Sequence, residues 1–108
     1  PAHDYLRAEP SVEAAVSAVV LGEFSEGFPE PRHPLVEWVR RVHKILPVDA
    51  TVALEYARVA RRLRAAGQMI GGNDLWIAAT ALRYGLPVVT ANVEHFARIP
   101  ELDVRAYR

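Results

Sequence analysis

Apolar positions change their period along this chain, and the changes mark its elements. From Ala14 to Val20 (AAVSAVV) small and β-branched apolar residues run on with one break, which predicts a buried strand. From Leu21 to Phe28 the spacing turns helical, with Leu21, Phe24 and Phe28 on one side and Glu23, Glu26 and Gly27 on another. Pro29, Pro31 and Pro34 predict a loop, because each proline disfavours helix in the residue before it. Pro34 to Lys44 is amphipathic: Leu35, Trp38, Val39 and Val42 are expected inward. Arg40, Arg41, His43 and Lys44 gather at its last turn, where cations suit the helix dipole. Ile45 to Val48 reads as a short strand, and Pro47 puts it at a sheet edge or a strand end. The clearest stripe follows, with Val52, Tyr56, Val59 and Leu63 alternating four and three apart across Ala50–Ala66. Asp49 is a good N-cap for that helix and Gly67 ends it.

Asn73 to Tyr84 differs from all of these. Leu75, Trp76, Ile77, Ala78, Ala79, Ala81 and Leu82 cover every side, so this helix is expected to be buried all round. Gly85 and Pro87 stop it. Leu86–Thr90 is an apolar strand, Val93–Ile99 a short helix, and Leu102–Tyr107 an alternating, half-buried strand. At the start, HDYLRA reads as the last turns of a helix, and Glu9–Ser11 as a break. Strands alternating with helices predict a single α/β domain over residues 1–108, a sandwich with a mainly parallel sheet.

Composition narrows the function classes. The 108 residues hold one core. Thirteen basic residues balance thirteen acidic ones, so no overall field draws the chain to nucleic acid and such binding depends on local patches. Cysteine is absent, which excludes disulfides and thiolate metal sites and leads us to expect a reducing cytoplasm. No apolar run has the length of a membrane span, and the opening residues lack the basic-then-apolar pattern of a signal peptide.

The candidate chemistry is acidic. In open parallel sheets, ligands bind beyond the carboxyl ends of the strands, where the following helices begin. Glu23 follows the first strand, Asp49 the second and Asn92 the third, while Asp74 opens the most buried helix. Three carboxylates and one amide are therefore expected on one rim. Like charges brought together call for a cation, and oxygen-only ligands select magnesium or manganese rather than zinc. Such an ion orients a water and stabilises charge on a phosphate oxygen. Local roles compete with this reading. Asp49 and Asp74 both suit helix capping, Trp38 and Trp76 suit the core, and His95 suits a packed position beside Phe96. Arg58, Arg61, Arg62 and Arg64 suit the wet face of their helix. Gly71–Gly72 alone is a weak sign of a phosphate loop, and no serine stands in a nucleophile setting.

Several stretches together carry a family likeness: SAVVLGEFSEG, LPVDATVALEYARVARRLRAAG, IGGNDLWIAATAL, LPVVTANVEHFARIP and the closing LDVRAY. They resemble the PIN-domain ribonucleases, specifically the VapC-type toxins of bacterial and archaeal toxin–antitoxin pairs, over nearly the whole sequence. The resemblance implies a PIN-like three-layer sandwich, its parallel central sheet flanked by helices. It implies endonucleolytic cleavage of RNA with Mg2+ or Mn2+, metal-binding carboxylates at Glu23 and Asp74, and a further catalytic position at Asn92, where the family often has Asp. Glu94 and His95 stand beside Asn92 as possible helpers. The implied partners are a VapB-type antitoxin and a second copy of the chain. Arg40, Arg41, Lys44 and Arg98 are candidates for RNA contact. The family opens with a strand carrying an Asp-Thr-Asn motif whose Asp is the first metal ligand, and that motif is absent here. We therefore expect these residues to belong to a longer protein, with its first strand cleaved, disordered or outside this sequence; the less favoured alternative is that another chain supplies it. A site with two of its usual carboxylates is expected to be weak or inactive. The alternative is a catalytically compromised module that binds antitoxin or RNA without cutting.

Overall fold

The structure, a computed structural model, describes residues 15–30 and 32–106. In chain order it has β1 (Ala15–Ser17), α1 (Ala18–Glu26), α2 (Pro34–Val42), β2 (Lys44–Leu46), α3 (Ala50–Ala65), α4 (Gly72–Tyr84), β3 (Val88–Thr90), α5 (Val93–Phe96) and β4 (Val104–Ala106). The helix end expected in HDYLRA, the break at Glu9–Ser11 and the last strand residue Tyr107 lie outside the described residues.

Most boundaries follow from local chemistry. The apolar run expected to stay extended to Val20 turns helical at Ala18, because the Ser17 hydroxyl accepts the Val20 N–H at 3.1 Å and caps α1. Lys44, expected in a helix, opens β2 instead, since His43 is already extended (φ −121°) and closes α2. Asp49 caps α3 by accepting the Val52 N–H at 3.0 Å. Gly67 (φ 68°) and Gly85 (φ 67°) take left-handed conformations that favour glycine. They let Gln68 and Leu86 donate back to the Leu63 and Ala81 carbonyls at 2.8 and 2.9 Å, closing α3 and α4.

The strands pair in parallel as expected, β1 with β2 and β3 with β4. Among the described residues they form two separate pairs rather than one continuous ladder. A crevice of about 50 Å³ lies between the pairs, lined by Val16, Ser17, Leu46, Ile77, Thr80 and Val88.

Helix α4 occupies the middle, with Leu75, Ile77, Ala78, Ala79, Thr80 and Ala81 all buried. Val59 and Leu63 of α3, Val20 of α1, and Phe96 and Ile99 complete the core around it. Helices α3 and α4 form an antiparallel hairpin. Tyr56 stacks on Trp76 with ring centroids 3.9 Å apart, and Arg83 Nε donates to Thr51 Oγ1 at 2.6 Å.

One expectation about side-chain direction is corrected. On α2, Val36 and Val39 are buried, whereas Leu35, Trp38 and Val42 are 52, 47 and 44% exposed. The apolar stripe of α2 is wider than the edge by which it meets the core, and its remainder faces outward. On α3 the arginines line the solvent-facing side as expected, and Arg58 and Arg62 are paired there. Arg58 Nη2 lies 2.8 Å from Glu101 Oε2, and Arg62 also pairs with Glu101, which ties α3 to the loop before β4. Burial pushes the Glu101 carboxyl up, but its own backbone amide and the Arg62 and Arg58 guanidiniums outweigh this and bring its pKa down to about 2.

Candidate active site

The amino end of α4 gathers most of the sequence candidates. Gly71, extended and without a side chain, is the N-cap, so Asp74 sits inside the first turn and its carboxylate is not used for capping. The peptide dipoles favour negative charge at that position. From α1, Glu23 reaches the same end: its Oε2 accepts from Asn73 Nδ2 at 3.0 Å. From the other side, His95 Nδ1 lies 3.4 Å from Asp74 Oδ2 and 2.9 Å from Asn92 Nδ2. Asn92 is itself fixed by donating its backbone N–H to Thr90 Oγ1 at 2.9 Å.

One ring nitrogen thus meets two partners, and its protonation decides between them. With a proton on Nδ1 the ring donates to Asp74, and the Asn92 amide must then meet it through its oxygen. With Nδ1 bare, the ring accepts the amide N–H and gives Asp74 nothing. His95 therefore belongs to the site's own hydrogen-bond network as well as to the packing beside buried Phe96.

Asp49, expected on this rim, does not lie there. Tyr84 Oη approaches Asp49 Oδ2 at 3.4 Å, which places Asp49 at the carboxyl end of α4. Residues 74 and 84 are ten apart, or about 15 Å of helix. The reason is the hairpin: α3 runs antiparallel to α4, so the start of one meets the end of the other. Asp49 is also fully engaged as a cap. The Thr51 hydroxyl at 2.7 Å and then the Val52 amide hold its carboxyl below the usual range. Two carboxylates and one amide remain at the rim.

Asn73 is a site residue that sequence reasoning passed over. Its signal was an amide directly before the candidate carboxylate at a helix start. Of the basic candidates, Arg98 is near the rim, donating from Nη1 to the Met69 carbonyl at 2.9 Å just before α4. Arg40 is paired with Glu37 at 3.3 Å on α2, and Arg41 and Lys44 are exposed there and on β2. Glu94 is exposed on α5.

The donors fit a hard cation in part. Glu23, Asp74 and the Asn92 amide offer oxygen, and magnesium commonly takes one or two carboxylates and keeps waters for the rest of its shell. Among the described residues, no three acidic, histidine or cysteine side chains come together closely enough to hold an ion alone.

Comparison with known proteins gives a consistent family. The PIN-domain family model matches residues 1–102. Ribonuclease VapC of Rickettsia bellii is 41% identical over 69 residues, which are 64% of this chain and 52% of that protein. This chain thus spans about half the length of that relative. Ribonuclease VapC1 of Methanocaldococcus jannaschii is 29% identical over 94 residues, 86% of this chain and 69% of that one. Among solved structures, VapBC-1 from nontypeable Haemophilus influenzae superposes with a TM-score of 0.79 at 25% identity, covering 99% of this chain and 86% of that one. DNA-bound VapBC from Salmonella typhimurium gives 0.82 at 26% identity, covering 100% and 86%.

Proposed function

This chain belongs to the PIN-domain family, and on that premise we propose that it is a metal-dependent endoribonuclease toxin of the VapC type, neutralised by a cognate antitoxin. The observation that carries the reading is the pairing of Glu23 with Asn73, next to an Asp74 that caps nothing, at one end of the buried helix. Relatives named as VapC ribonucleases support the activity, and similarity to VapBC complexes supports a VapB-type partner. The exposed stripe of Leu35, Trp38 and Val42 on α2 supports burial against a protein, and we assign the chain to a homodimer. No helix of the described residues is long and apolar enough to cross a membrane. We place its action in the cytoplasm.

In this reading Glu23 and Asp74 hold Mg2+ or Mn2+. The bound ion supplies positive charge against the negative charge that develops on the phosphate oxygens. The chain's own part is orientation. The Asn73 amide fixes the Glu23 carboxylate, His95 steadies Asp74 when its Nδ1 carries a proton, and the Asn92 side chain offers an uncharged hydrogen bond beside them. Asn92 in place of a third carboxylate favours the second reading, a module that binds antitoxin or RNA without cutting.

Cleavage of a fluorogenic RNA by the protein with manganese separates the two. We expect cleavage that stops on chelation and is lost in Glu23→Gln while the circular dichroism spectrum stays unchanged. Full activity of that variant, or cleavage indifferent to chelator, defeats the metal-site assignment. Retained antitoxin binding without any cleavage supports the second reading.

A further inference from the structure

A groove runs along the outer side of the α3/α4 hairpin, lined by Thr51, Leu54, Glu55, Arg58, Arg61 and Arg83. Residues 51, 54, 58 and 61 repeat at helical spacing, so they form one stripe of α3. The charges on this face are unequal. Arg58 is neutralised by Glu55 at 2.7 Å and Glu101 at 2.8 Å, and Arg62 by Glu101. Among the described residues, Arg61 and Arg64, one turn apart, have no carboxylate partner, and Arg83 spends its Nε on the Thr51 hydroxyl. Between Asp49 and Tyr84 the chain carries five arginines against three acids in a protein whose net charge is zero.

Resting on the nuclease reading above, we propose that this face is a phosphate-binding track. It holds single-stranded RNA beside the cleavage site, with Arg61 and Arg64 contacting neighbouring phosphates and Arg83 one further along the strand. The acidic rim alone repels a polyanion, so the attraction must come from elsewhere on the surface. The α3 face supplies it and leads to the right place. Arg64 lies in the last turn of α3, and the loop 66–71 joins that turn directly to the helix start that carries Asp74. Leu54, 72% exposed within the groove, gives an apolar surface for sugar and base edges between phosphates. A run of repeated cations suits a repeated anion better than it suits one carboxylate, and phosphate contacts position nucleic acid without reading its sequence.

The test is binding of a 2′-O-methylated oligouridine, which resists cleavage, measured by fluorescence anisotropy across a potassium chloride series in chelator. Arg61→Gln combined with Arg64→Gln keeps good helix formers at exposed positions. It is expected to weaken binding severalfold at low salt and to lower the slope of log affinity against log salt by about 1.4, or about 0.7 per lost phosphate contact. Adding Arg83→Gln is expected to lower it further. An unchanged slope overturns the proposal. So does loss of antitoxin binding or of dimer with oligouridine binding intact, which assigns the face to a protein. Failure of the nuclease reading shows separately, as absence of metal-dependent cleavage, and leaves this binding measurement standing.

Discussion

The two ends of the α3/α4 hairpin each present an aspartate at a helix start, and the structure uses them in opposite ways. At the end away from the connecting loop, Asp49 accepts from a hydroxyl and a backbone amide, with Tyr84 Oη nearby, and its acceptor capacity is taken up by capping. At the end joined by loop 66–71, a glycine does the capping, and Asp74 meets only a histidine nitrogen at 3.4 Å. Residue type and sequence context are alike; the supply of donors is not. A carboxylate satisfied by its own helix is structural, and one left short of donors is available for a ligand. The chain gives up a side-chain cap at the start of its most buried helix, but glycine at that position loses only about 0.3 kcal/mol. Burial of α4 offsets that loss.

The strongest test of this contrast is an identical substitution at both ends. Asp74→Asn is expected to lower manganese-dependent RNA cleavage on the order of 100-fold with little change in melting temperature. Asp49→Asn should leave cleavage intact. Equal losses at the two positions would mean the ends are not functionally distinct. Next in size is stability. Asp49→Ala removes the α3 cap and should lower the melting temperature by a few degrees, whereas Asp74→Ala should not, as thermal denaturation would reveal.

A smaller effect concerns acid. Against the burial that raises it, the Glu101 carboxyl is brought from 4.5 down to about 2 by its own backbone amide and then by the Arg62 and Arg58 clamp. A depressed folded-state pKa gives stability that is fully present above pH 4.5 and is lost as pH falls toward 2. The stability gap between the native protein and Glu101→Gln should therefore be constant near neutrality and shrink in that acid window. A gap that widens in acid contradicts the clamp. Smallest of all, Tyr84→Phe removes only a long contact to Asp49, and its melting temperature should barely differ from that of the native protein.

Periodicity and punctuation made the helices readable before any coordinates. The α3 stripe and the all-round burial of α4 are local patterns, and Gly67 and Gly85 have one conformational use each. The parallel pairing followed from alternation of strands and helices. Facing was less legible. The apolar stripe of α2 looks the same in sequence whether it covers this core or another protein, so Val39 reads correctly as inward while Leu35, Trp38 and Val42 do not. Asp49 was misplaced because its position depends on the direction of α3 relative to α4, which no local window encodes. The solvated side of α3 was legible in its arginine run, but the pairing with Glu101 was not, since Glu101 lies 39 residues beyond Arg62. At the rim, Glu23 and Asp74 could be singled out from strand ends and helix starts. Asn73 carried a weaker signal, an amide beside the candidate carboxylate, and its pairing with Glu23, 50 residues away, is a contact that no local window shows.

The crevice between the two strand pairs determines where the molecule breathes. Among the described residues each strand pairs with one other, and the crevice between the pairs is lined by residues of β1, β2, α4 and β3. Thermal fluctuation should separate the halves there long before it opens the hairpin, whose seam includes fully buried Val59 and Leu75. In hydrogen–deuterium exchange, amides of β1 and β3 should label early and those in the body of α4 last.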